Sequence, residues 1–108
     1  MLESAMKHVQ DFVGVFALVK LPAQVATPSK LVVNLQYANL PGNHWTAIYC
    51  DADSVGYYFD SFGRIPPHEI HGWLAQHCAR WTWNVLTIQK QSDTVSCGYL
   101  CIEYLKSV

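Results

Sequence analysis

The segment "HWTAIYCDADSVGYYFDS", His44 to Ser61, decides the fold class. Two runs rich in β-branched and aromatic residues, "HWTAIYC" and "VGYYFDS", flank the polar "DADS", the pattern of a β-hairpin. The symmetry centre falls near Ala52, so His44 and Asp60 lie at equal distances on either side of it. Opposite residues of an antiparallel pair carry their side chains on the same face, which makes His44 and Asp60 expected neighbours. A carboxylate beside an imidazole fixes its tautomer and stabilises the imidazolium, as a catalytic base requires. The same pair is also an ordinary surface ion pair, and the hairpin alone does not choose between the two.

Outward from the hairpin, "KLVVNLQY", Lys30 to Tyr37, reads as another strand, preceded by the loop "LPAQVATPSK", Leu21 to Lys30. Downstream, "PPHEIHGWLAQHCARW", Pro66 to Trp81, reads as a helix. Its prolines stand at the N-terminus, where a missing N–H costs little, and Ile70, Trp73, Leu74 and His77 lie on one stripe. "WNVLTIQ", Trp83 to Gln89, reads as a strand. "CGYLCIEYLK", Cys97 to Lys106, reads as a short buried helix with Leu100, Cys101, Tyr104 and Leu105 inward. Strands, helix, strand, helix is the order of an α+β domain.

The 108 residues are 51% hydrophobic, enough to bury a core without disulfides, and are expected to form a single compact domain over residues 1–108. Seven basic and eight acidic residues give a formal net charge of −1, with no basic cluster, so no nucleic-acid partner is expected. No apolar run approaches the ~20 residues that span a bilayer, so no membrane partner is expected. The opening "MLESAMKHVQDF" is too polar for a secretory signal, and an intracellular protein is expected. The four cysteines, Cys50, Cys78, Cys97 and Cys101, are then expected as thiols. Cys97 and Cys101, one helical turn apart, would need His77 or Cys78 to complete a metal site, and paired knuckle spacings are missing; no metal or other cofactor is expected.

Cys97 stands at the start of the last predicted helix, after the polar run Ser92 to Ser96. Unpaired N–H groups and the positive end of the helix dipole favour a thiolate there. Taken alone, such a cysteine is more often a small buried hydrophobe. Thiolate attack on a carbonyl also needs a donor for the oxyanion. The side chain of Gln91, six residues before Cys97, with the backbone N–H of Cys97 meets that need, and Gln89 is the rival candidate. Gly98 allows substrate backbone to come close, although flexibility at a helix start explains it equally well.

"GNHWTAIY", "YYFDSFG" and "QSDTVSCGYLC", in this order, resemble the His, Asp/Glu, Gln and Cys motifs of the adenain-type peptidases, the adenovirus endopeptidase family. That family is related to the ubiquitin-like-protein proteases. The likeness runs from about Phe12, where "GVFALVKLP" is similar to the lead-in segment of relatives in viruses and virus-like mobile elements, to about Lys106. It implies a papain-like cysteine protease variant, a central mixed β-sheet flanked by helices. It also implies His44 as general base, Asp60 as its orienting partner, Gln91 as oxyanion donor and Cys97 as nucleophile. Peptidases of this kind prefer glycine near the cut, which would make Trp45 and Gly98 substrate-binding residues, with Trp45 as a wall of a narrow cleft. From spacing alone, Trp45 is core, packing with Tyr57 or Phe59 across the hairpin.

The resemblance implies a cysteine endopeptidase that cleaves viral or mobile-element precursor proteins near glycine during capsid maturation, inside the host cell or packaged in the virion. A protease for ubiquitin-like modifiers is the alternative within the same chemistry. A catalytically silent module gripping a Gly-rich tail is the alternative outside it. Two departures bear on these readings. Ser96 stands where ubiquitin-like-protein proteases commonly carry Asp, which with "HWTA" favours the viral branch. The long C-terminal extension of the adenovirus enzyme has no counterpart after Val108, which leaves activation by a peptide or by DNA without support.

Overall fold

The hairpin is closed by its own side chains. In a computed structural model, which describes residues 6–35, 44–84 and 97–108, Asp51 accepts hydrogen bonds at Oδ1 from the backbone N–H groups of Asp53 (2.9 Å) and Val55 (3.0 Å). Ser54 takes a left-handed backbone (φ 62°), as a three-residue hairpin loop requires at its last position. β3 (Trp45–Cys50) and β4 (Val55–Phe59) follow from it. Their register, Ala47 opposite Phe59 and Cys50 opposite Gly56, centres on Asp53 and not on Ala52 as the sequence symmetry suggested. The partner of each residue thus moves by two, an even slip that keeps every side chain on its expected face.

Five strands form one mixed sheet in the order β1-β2-β3-β4-β5, completed by β1 (Phe12–Ala17), β2 (Ser29–Asn34) and β5 (Arg80–Trp83). The central pairs β2/β3 and β3/β4 are antiparallel, and the outer pairs β1/β2 and β4/β5 are parallel. A short 3-10 turn, Leu18–Lys20, follows β1. α1 (His68–His77) and α2 (Cys97–Ser107) complete the described elements.

Each helix belongs to a different buried cluster. Ile70, Trp73 and Leu74 of α1 pack with Leu31, Val33, Ile48 and Tyr58, whereas Cys101 and Leu105 of α2 pack with Val32, Ala47 and Phe59. Alternate residues of β2 thus feed opposite clusters, and the strand is buried along nearly its whole length. Gly56 of β4 lies against the C-terminal end of α1. A Cβ there would lie 2.8 Å from Cys78 Sγ and 3.1 Å from Leu74 Cδ2, so the contact requires glycine. At the far end of α2, buried Lys30 donates from Nζ to the carbonyls of Leu105 (2.7 Å) and Val108 (2.8 Å), placing a cation where the helix dipole is negative.

Two boundaries differ from expectation. The predicted helix over 66–81 ends at His77, because Cys78 turns extended (φ −123°, ψ 144°) and Arg80–Trp83 pair with β4. The strand expected at Trp83–Gln89 shares Trp83 with β5, and residues 85–89 of it fall outside the described residues. β1 was not expected as an element: its Gly14 and paired valines give weak alternation, and parallel pairing with β2 creates it. Among the described residues no disulfide joins the cysteines; Cys50 and Cys78 are 3.3 Å apart at sulfur as hydrogen-bonded thiols. No helix among these residues is long and apolar enough to cross a membrane, and none of their His, Cys, Asp and Glu side chains group to hold a metal ion.

Candidate active site

His44 immediately precedes β3 and Asp60 immediately follows β4, so the antiparallel pairing brings both to one end of the sheet. His44 Nε2 lies 2.8 Å from Asp60 Oδ1. They are not directly opposed, since the observed register places residue 62 across from residue 44, and the Phe62 ring is 5.1 Å from the imidazole. The pair forms because the chain bends after β4. Gly63 N–H donates to Asp60 O (2.7 Å) and Phe62 N–H to Asp60 Oδ1 (2.8 Å), which turns the carboxylate toward His44. Asp60 is 1% exposed, so this is not the surface ion pair that the hairpin alone allowed.

Cys97 opens α2, as the sequence pattern indicated. The Trp45 N–H points at its sulfur at 3.4 Å, and one turn later the Cys101 thiol donates to Trp45 O at 3.2 Å. Two cysteines four residues apart thereby stitch the helix to the first residue of β3, placing Cys97 beside His44. With Nε2 engaged by Asp60, Nδ1 is the imidazole nitrogen left for the sulfur.

The electrostatics follow from these contacts. Burial alone would lower the His44 pKa. The hydrogen bond and charge of Asp60, with those of Cys97, outweigh it and raise the value from 6.5 to about 9. Burial alone would raise the Cys97 thiol. The His44 hydrogen bond, the Trp45 N–H, the His44 charge and the Gly98 N–H together bring it below its ordinary value. Both shifts favour an imidazolium facing a thiolate. Burial instead pushes Cys78 up to about 12 and Cys101 well up, so these two stay thiols.

Trp45 is half-buried, and its indole packs against the α2 cluster that includes Phe59, as its spacing suggested. Gly98 is buried in the first turn of α2. Gln91 and Gln89 lie outside the described residues. Sequence reasoning missed Asn84. Its Oδ1 accepts the Asp60 N–H (2.9 Å) and its Nδ2 donates to Asp60 O (2.6 Å). An asparagine inside an otherwise aromatic and β-branched run was the available signal, since asparagine is depleted in strands.

A mixed five-stranded sheet between helices, with a cysteine at a helix start and a histidine–aspartate pair at the sheet end, is the architecture of papain-like cysteine proteases. A crystal structure of the African swine fever virus protease containing selenomethionine shares this fold, with a TM-score of 0.64 at 21% identity over 78% of this chain and 35% of that one. A second crystal structure of the protease gives 0.50 at 25% identity, over 78% and 36%. In sequence, a cysteine protease of African swine fever virus is 28% identical over 87 residues, 70% of this chain and 32% of the relative. The chain thus spans about a third of the length of the relatives it matches. No protein-family model matches it.

Proposed function

We propose that this chain carries the catalytic centre of a viral-type cysteine endopeptidase, with Cys97 as nucleophile, His44 as base and then acid, and Asp60 as the group that orients His44. The observation that carries the reading is the buried Asp60–His44 pair beside a sulfur whose thiolate is stabilised. The Cys97 thiolate attacks the scissile carbonyl carbon, forming an S–C bond and an oxyanion. The imidazolium of His44 then gives its proton to the departing amine nitrogen as the C–N bond breaks, leaving a thioester. A water that loses its proton to His44 attacks the thioester carbonyl; the C–S bond breaks, the carboxylic acid leaves, and the Cys97 thiolate and His44 imidazolium are restored. Gln91 and the Cys97 N–H serve the oxyanion in this scheme. The similarity to a viral cysteine protease supports a polypeptide substrate, and the ordered motifs of adenain type favour a viral or element-encoded precursor cleaved during capsid maturation.

Iodoacetamide labelling with peptide mapping tests the nucleophile. At neutral pH Cys97 should label before Cys50, Cys78 and Cys101, and faster labelling of any of those three would overturn the assignment. Hydrolysis should rise with pH as Cys97 ionises, below the ordinary thiol value. It should fall above about 9, where His44 loses the proton it must donate. A rate still climbing past that point would exclude His44 as the acid.

Glycine selectivity is assigned to Trp45. One part of the indole packs on the α2 cluster, while its backbone lies 3.4 Å from Cys97 Sγ, so the exposed part walls the space beside the nucleophile. Trp45→Ala should let alanine or serine replace glycine before the cut in a peptide library, with chemistry retained at a lower rate. Unchanged selectivity in a folded variant would return Trp45 to a purely core role.

A further inference from the structure

We infer that Asn84 is a positioning residue for the catalytic acid, acting by replacing a rung of the sheet with its side chain. The inference rests on the cysteine-peptidase reading of Cys97, His44 and Asp60. β4 and β5 pair in parallel through Tyr58 opposite Trp83, and the Asn84 N–H continues the ladder to Tyr58 O at 3.3 Å. In a regular parallel ladder the next bond would run from the Asp60 N–H to the backbone carbonyl of residue 84. Here it runs to the side-chain Oδ1 instead, at 2.9 Å, and the same carboxamide returns a bond from Nδ2 to Asp60 O at 2.6 Å. A carboxamide carries the same donor and acceptor pair as a peptide group, so the substitution costs the sheet no hydrogen bond.

The consequence falls on the Asp60 carboxylate. Asp60 O has a second donor, Gly63 N–H, but the structure gives the Asp60 N–H one acceptor, Asn84 Oδ1. That bond holds the main chain where strand becomes bend. The bend in turn aims Oδ1 at both Phe62 N–H and His44 Nε2. If the clamp loosens, the carboxylate supports the imidazolium less, the His44 pKa falls, and the Cys97 thiolate loses its counter-ion. The two hydrogen bonds to Asp60 are the route by which Asn84 acts on the imidazole and, through it, on the sulfur.

The test is the pH dependence of Cys97 alkylation by iodoacetamide in the full chain, for the wild type, Asn84→Ala and Asn84→Leu. Asn84→Ala leaves the Asp60 N–H without its acceptor. Asn84→Leu removes the same acceptor while keeping a side chain of similar reach and adding no charge. Asn84→Leu therefore provides the measurement if the alanine variant does not fold. In both, the labelling curve should move upward by about one pH unit, making alkylation at pH 6 about tenfold slower while leaving the alkaline plateau unchanged. A merely structural asparagine would lower the melting temperature and leave the curve in place. Unmoved curves in folded variants, with a depressed thiol pKa in the wild type, would overturn the role of Asn84 alone. An ordinary thiol curve in the wild type would overturn the peptidase reading with it.

Discussion

Asp60→Ala is expected to slow peptide hydrolysis by roughly 10³- to 10⁴-fold. A single oxygen, Oδ1, takes both the Phe62 N–H and His44 Nε2 at 2.8 Å, so the substitution removes at once the acceptor that fixes the imidazole tautomer and the charge that supports the imidazolium. The Asp60 hydrogen bond is the largest influence that lifts His44 to about 9, and its loss makes the imidazolium less favourable at neutral pH. His44→Ala should cost roughly 10²- to 10⁴-fold for loss of the acid–base group. The double substitution should cost little more than the worse single one, because the two residues act as a unit. Losses in log rate that simply add would separate Asp60 from His44 and exclude the pair as a functional unit.

Gln91→Ala is expected to lower kcat by roughly 10²- to 10³-fold with little change in substrate binding. An oxyanion donor meets full negative charge only in the transition state, so its loss appears in turnover. Labelling of Cys97 by iodoacetamide should be nearly unaffected, since alkylation creates no oxyanion. That contrast distinguishes Gln91 from the residues that make the thiolate. Gln89→Ala should be mild in the same assay; a large loss there with a small one at Gln91 would exchange their roles.

The two predictions rest on different kinds of knowledge. That His44 and Asp60 share a face, that Cys97 begins a helix, and that Leu100, Cys101, Tyr104 and Leu105 turn inward are consequences of repeat periods of two and 3.6 residues, which any segment carries in itself. The observed strands and α2 keep these faces. Register is different. The centre of the hairpin lies at Asp53 because Asp51 caps the turn and Ser54 accepts a left-handed backbone, details that alternation does not express. His44 therefore reaches Asp60 through the bend after β4 and not straight across the strands.

Tertiary pairing decided the remainder. Arg80 and Trp81, which the helix pattern absorbed without conflict, became part of a strand because β4 offered a parallel edge. Asn84 acquired its place at Asp60 from that pairing, across 24 residues of chain. Cys101, expected as packing alone, also holds the Trp45 carbonyl from α2. The sequence by itself determined which residues face which layer and which thiol stands at a helix start, because those are local periodicities. Only the tertiary structure decided how the acid is held and what brings the sulfur to the imidazole, because a hydrogen bond between distant residues depends on register and approach, which local periodicity does not encode.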